Sequence, residues 1–317
     1  MASGAGDGLL QKWLEQHASM AAAGSAEERA KKITIKLKSD LGAAWDKLRA
    51  SLSQGEAQEM TDLCSKERTW SSERGSTNEQ EYLKDLCKAV VELRYFTAGG
   101  GTVAVKQLNF DKNISQDQWY PRCVVGALAL SELYGDHCHL EKVVKEISSK
   151  VEEKLGGHTE TTGNLGRCRD ITRTDIMLAR GLLHNEIQQW TKEKRDKGSS
   201  GGWRIGQLWE KKWKPVCLQG GRMEEAKKHY LEENKATVVS FSGLNNDVDP
   251  KSGQLSTIAD ILTKPELTLN ESIVEQALTA SLEGNGTSFK AEVLTQVLEK
   301  ETQNRRGKYY IMEVNHY

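Results

Sequence analysis

His137, Cys138 and His139 are consecutive, and histidine beside cysteine is the material of zinc sites and thiol nucleophiles. Structural zinc usually takes ligand pairs separated by a few residues, so that two side chains from one turn reach a single ion. Consecutive residues on an ordered segment project in different directions. The spacing therefore predicts a helix end that carries two histidines beside a core-facing or disulfide-bonded Cys138, and no metal site. A cysteine nucleophile at Cys138 would need a positioned base and an orienting group. Either neighbouring histidine could serve as base, but none of the local cysteine-protease signatures surrounds any of the six cysteines, Cys64, Cys87, Cys123, Cys138, Cys168 and Cys217. Zinc proteolysis and P-loop phosphate handling also lack their anchors, since H-E-x-x-H and G-x-x-x-x-G-K-[ST] do not occur. The glycines at 99–101 follow a helical stripe where a dinucleotide site requires a strand. No catalytic, cofactor-binding or metal-ligating residue is expected.

The segment WRIGQLWEKKWK at 203–214 interleaves tryptophans with Arg204, Lys211, Lys212 and Lys214, a mixture able to stack bases or touch phosphate. The charge is sparse, and Trp209 and Trp213 stand four apart on one helical face, so an inward-packed amphipathic helix is expected and nucleic acid is not. The whole chain balances 44 basic against 45 acidic residues and exerts no global field on a polyanion or an anionic membrane. No uncharged apolar run approaches the roughly 20 residues of a membrane-spanning helix. The N-terminus, with Asp7 and no basic leader, is not a classical secretory signal. Sequons at Asn113, Asn270 and Asn285 are compatible with an extracellular setting, and Asn270 also stands where a helix cap is expected. Six cysteines without a C-x-x-C pair admit three disulfides or six buried free thiols, and their spacing does not choose between them.

The elements that would position these residues are helices, because apolar residues recur at steps of three and four. Leu9, Leu10, Trp13 and Leu14 open the series. After Ser25 and Glu28, in capping-box spacing, Ile33, Leu37, Leu41, Ala44, Trp45, Leu48 and Leu52 hold one stripe, the longest helix expected. A short turn of helix is expected at 60–64. Leu83, Leu86, Cys87, Val90 and Val91 form the next face, stopped by the glycines at 99–101. Ser115 and Gln118 start another, with Cys123, Val124, Ala127, Leu130 and Tyr134 on it. The brief break at Gly135 and Asp136 predicts an antiparallel hairpin with the stripe from Leu140 to Leu155. Helical spacing resumes from Ile176 to Trp190. The charged, then Gly/Ser-rich stretch at 191–202 reads as a linker. Beyond it come a solvated helix from Met223 to Asn234, one after Asn270, and one around Val293 to Leu298. The tail KYYIMEV has β-type composition. The expected fold is all-α: a helical bundle over 8–197 and a second, smaller helical unit over 198–317, cross-linked if the cysteines are oxidised.

Several segments, in order, resemble the N-terminal extracellular alpha region of the schizont-infected cell agglutination (SICA) variant antigens of malaria parasites. They are GDGLLQKWLEQHA, the DLC at 62–64, LCKAVVELRYFTAG at 86–99, YPRCVVGALALSELYGDHCHLEKV at 120–143, RCRDITRTDIMLARGLLHNEI at 167–187 and GGWRIGQLWEKKWKPVC at 201–217. The resemblance implies a non-enzymatic antigen exported to the infected host erythrocyte membrane, on its extracellular face, and varied between members for immune evasion. Host antibodies are its implied partners, with host-cell receptors a further class. It also implies that Cys64, Cys87, Cys123, Cys138, Cys168 and Cys217 form structural disulfides, in a pairing it does not specify. Full-length members carry further cysteine-rich domains and a membrane span, so the chain is expected to be a fragment, a truncated product or a short member without its anchor. The expected antibody-facing loops are 71–78, 98–115, 156–170 and 242–254. The competing classes are an intracellular helical adaptor with six free thiols and a hydrolase built on Cys138.

Overall fold

The computed structural model describes residues 8–17, 24–53, 58–65, 77–100, 110–111, 114–158, 164, 166–196, 213–218, 222–244, 257–282 and 290–314. In chain order the α-helices are α1 (Leu9–His17), α2 (Ala26–Ser53), α3 (Gln58–Ser65), α4 (Thr77–Thr97), α5 (Gln116–Tyr134), α6 (Leu140–Gly156), α7 (Arg173–Asp196), α8 (Lys214–Cys217), α9 (Met223–Glu233), α10 (Lys235–Phe241), α11 (Ile258–Thr263), α12 (Glu271–Leu282) and α13 (Ala291–Val314). Short 3-10 turns lie at Arg167–Asp170 and Pro265–Leu267. No strand occurs among the described residues, where a single bridge joins Gly100 to Phe110. The fold is all-α.

The apolar stripes become the core. On α2 the capping box closes as its spacing predicts: the Glu28 amide donates to Ser25 Oγ at 3.3 Å and the Ser25 amide to the Glu28 carboxylate at 3.1 Å. Ile33, Leu37, Leu41, Trp45, Leu48 and Leu52 are then buried along one face. The sequence of α5 is apolar on almost every side, and a helix of that kind must be enclosed. It is, by α1, α2, α4 and α7. α12 lies against α2, α7 and α13, so helices from both sides of residue 197 contribute to one continuous core. The expected boundary at 197/198 falls outside the described residues, whereas 191–196 of the expected linker are the last residues of α7.

Two other expectations fail. α5 and α6 do not pack as an antiparallel hairpin; α6 lies against α4 and α10. With α5 already enclosed by four other helices, α6 is drawn to α4, where Arg94 Nε donates to Glu152 at 2.6 Å. The tail 308–314 continues α13 as helix. β-Propensity reflects packing within a sheet, and among the described residues there is no strand to pair with, whereas helical hydrogen bonds are local.

Candidate functional site

All six cysteines are paired. Cys64–Cys87 (Cα–Cα 5.8 Å) joins α3 to α4, and Cys123–Cys168 (5.3 Å) joins the middle of α5 to the turn at Arg167–Asp170. Cys138–Cys217 (5.6 Å) joins the corner after α5 to α8. No cysteine is free, so a nucleophile at Cys138 has no thiol to ionise. His137 and His139 diverge. His137 is fully buried, its ring stacked with Tyr82 (centroids 5.7 Å apart), while His139 is half-buried with Nε2 at 3.6 Å from Glu79. Burial lowers the His139 pKa, with Lys142 acting in the same direction and Glu79 against it. Among the described residues no group of three or more His, Cys, Asp or Glu side chains is arranged to hold a metal ion.

The corner Gly135–His139 is instead the place where distant segments are fastened. Trp213 Nε1 donates to the Asp136 carbonyl at 2.9 Å. The Asn234 side-chain amide, between α9 and α10, donates to the carbonyls of Gly135 and His137, both at 2.8 Å. The Tyr230 hydroxyl donates to the Cys217 carbonyl at 3.1 Å. The Tyr82 hydroxyl lies 2.7 Å from His137 Nδ1 and 3.4 Å from Cys217 Sγ. A side chain at Gly135 would collide with the Ser131 carbonyl at 2.5 Å and Leu231 at 2.8 Å, which is why glycine stands there.

Three buried polar nodes lie elsewhere in the core. Arg122, on α5, donates to the carbonyls of Phe96 (2.6 Å) and Gly100, and to Asp111 at 3.2 Å, with its guanidinium 4.5 Å above the Phe96 ring. Both carbonyls lie at or just beyond the end of α4, and Phe96 O also accepts the Gly99 amide at 3.1 Å. Burial lowers its pKa to about 10 against the pull of Asp111, which leaves it charged at neutral pH. The adjoining cleft of about 280 Å³ is lined by charges that pair among themselves: Lys36 with Asp40, and Lys47 and Arg122 with Asp111. In the second node Glu132 accepts from His184 Nδ1 at 2.7 Å and Arg180 at 3.3 Å. Burial pushes the Glu132 carboxyl up, but these partners and Gln188 outweigh it, and the net direction is down. The third is Asp175 at the start of α7, whose carboxylate accepts the Thr172 amide at 2.9 Å. Burial raises it to about 7 even against that bond.

The other sequence features resolve unevenly. Asn270 is exposed and caps α12, accepting the Ile273 amide at 2.9 Å. Asn113 and Asn285 lie outside the described residues, as do 203–212 of the tryptophan segment; Trp213 is fully buried. Of the expected antibody-facing loops, 71–76, 101–109, 112–113, 159–163, 165 and 245–254 are likewise outside. Sequence reasoning missed Tyr82, Arg122, Arg180 and Asn234. Arg122 carried a signal: it sits within the apolar run from Trp119 to Leu130, where a charge must find partners.

The arrangement holds helices in register through cross-links and paired polar groups. A family model described as the SICA extracellular alpha domain matches residues 7–190. Among curated proteins and solved structures, none matches the chain.

Proposed function

Because the chain belongs to the SICA extracellular alpha domain family, we propose that it is a variant surface antigen, or the extracellular part of one, displayed on the infected erythrocyte and recognised there by host antibodies. The family match over 7–190 is the observation that carries this reading. Full pairing of the cysteines supports it, since disulfides persist in oxidising, extracellular settings, whereas the intracellular-adaptor alternative requires free thiols. The physical role is presentation: surface loops change sequence at little cost when the core and cross-links carry the stability. Antigenic variation and immune evasion follow from that tolerance. No helix among the described residues is long and apolar enough to cross a membrane.

The test is labelling of intact infected erythrocytes with a membrane-impermeant amine reagent, followed by capture of this chain. Labelling without permeabilisation is expected. Labelling that appears only after the membrane is opened contradicts display.

A further inference from the structure

Five of the six cysteines are buried, with Cys64, Cys87 and Cys123 fully enclosed, Cys168 at 3 % and Cys217 at 2 % exposure. Cys138 alone is half-buried. A disulfide exchanges when a thiolate attacks one sulfur and the other leaves, so reactivity depends on access to the first and on stabilisation of the second. The bridges Cys64–Cys87 and Cys123–Cys168 offer neither sulfur to solvent without local opening. In Cys138–Cys217 one of the two residues, Cys138, is partly open to solvent. The second sulfur of that bridge has a hydroxyl donor at hand: the Tyr82 hydroxyl, 3.4 Å from Cys217 Sγ and 2.7 Å from His137 Nδ1. With Nδ1 protonated, that nitrogen donates to the tyrosine oxygen and leaves the hydroxyl proton directed at sulfur.

We propose that Cys138–Cys217 is a thiol-exchange site, at which a low-molecular-weight thiol attacks Cys138 and the Cys217 thiolate departs toward the Tyr82 hydroxyl. The attacking thiol first loses its proton to water. Its sulfur then bonds to Cys138 Sγ, the Cys138–Cys217 bond breaks with its electron pair going to Cys217, and Cys217 is protonated as the free thiol. Attacker and Cys138 end as a mixed disulfide, so one disulfide replaces another and no outside oxidant is needed. Burial keeps the Tyr82 phenol protonated well above its ordinary range, as a donor must be. The consequence is selective: α8 loses its covalent tie to the corner, while the hydrogen bond from Trp213 to the Asp136 carbonyl still holds it. The inference is independent of where the protein is displayed.

Glutathione is the probe. The folded chain is incubated with it at millimolar concentration, quenched with an alkylating agent at timed intervals, and its cysteine peptides are mapped by mass spectrometry. Glutathione is expected on Cys138, with alkylated Cys217 and the other two bridges intact. Tyr82→Phe, which keeps the ring and removes the hydroxyl, is expected to slow formation of that adduct about tenfold, as loss of one hydrogen bond to the leaving sulfur implies. Simultaneous opening of all three bridges, first modification at any other cysteine, or an unchanged rate in a folded Y82F would overturn the proposal. The adduct map is read on the unaltered chain and stands whether or not Y82F folds.

Discussion

Asp175 shows how one side chain sets a pH dependence. It is buried at the start of α7, forms a capping box with Thr172, and has its carboxyl raised to about 7. An unfolded aspartate titrates near ~3.9, so between those values the folded chain binds the extra proton. Its contribution is therefore whole below about pH 4 and is lost as pH rises through 7. Glu132 has the opposite sign: its folded pKa is depressed, and its contribution is lost as pH falls. Asp175→Asn keeps an acceptor for the Thr172 amide and cannot ionise. The wild-type stability minus that of D175N, from urea unfolding, should decline by a few kcal/mol, to order of magnitude, between pH 4 and 8. A flat difference would refute the assignment. The burial of Asp175 was not legible in the sequence, because which segment covers a helix end is a tertiary fact.

At the scale of elements, stripes and caps were legible because they are local. The capping boxes at Ser25 and Ser115, the stop at Gly99 with φ 102°, and the cap at Asn270 all follow from short-range hydrogen bonding and sterics. What failed was the choice of partner. A stripe says which face is buried and not against what, so the short break at Gly135 suggested a hairpin, while the enclosure of α5 by four helices sent α6 to α4. The tail failed for a related reason, since its composition described a packing that needs a neighbouring strand, and none occurs among the described residues. The close approach of α4 and α5 depends on Gly126, where a Cβ would fall 2.2 Å from Thr97 Cγ2. Gly126→Ala should therefore destabilise by about 1–3 kcal/mol, although alanine is the better helix former by roughly 1 kcal/mol. A rise in melting temperature would show that the two helices separate freely.

Across the whole molecule, the bridges span 23, 45 and 79 residues, and the longest ties α8 back to the corner after α5. If each acts by restricting the unfolded chain, replacing a cysteine pair by serines should cost about 3.4 kcal/mol for Cys64–Cys87, about 4 for Cys123–Cys168 and about 4.5 for Cys138–Cys217. The three denaturation midpoints should fall in that order, and the reverse order would deny the entropic account. The cysteine count permitted both three bridges and none; the resemblance implied oxidation, and only the fold supplied the pairs. The account rests on helices fastened by those pairs. Its most direct test is peptide mapping of the native chain under non-reducing conditions: it predicts Cys64–Cys87, Cys123–Cys168 and Cys138–Cys217 with no alkylatable thiol. Free cysteines before any thiol is added, or any other pairing, would contradict it.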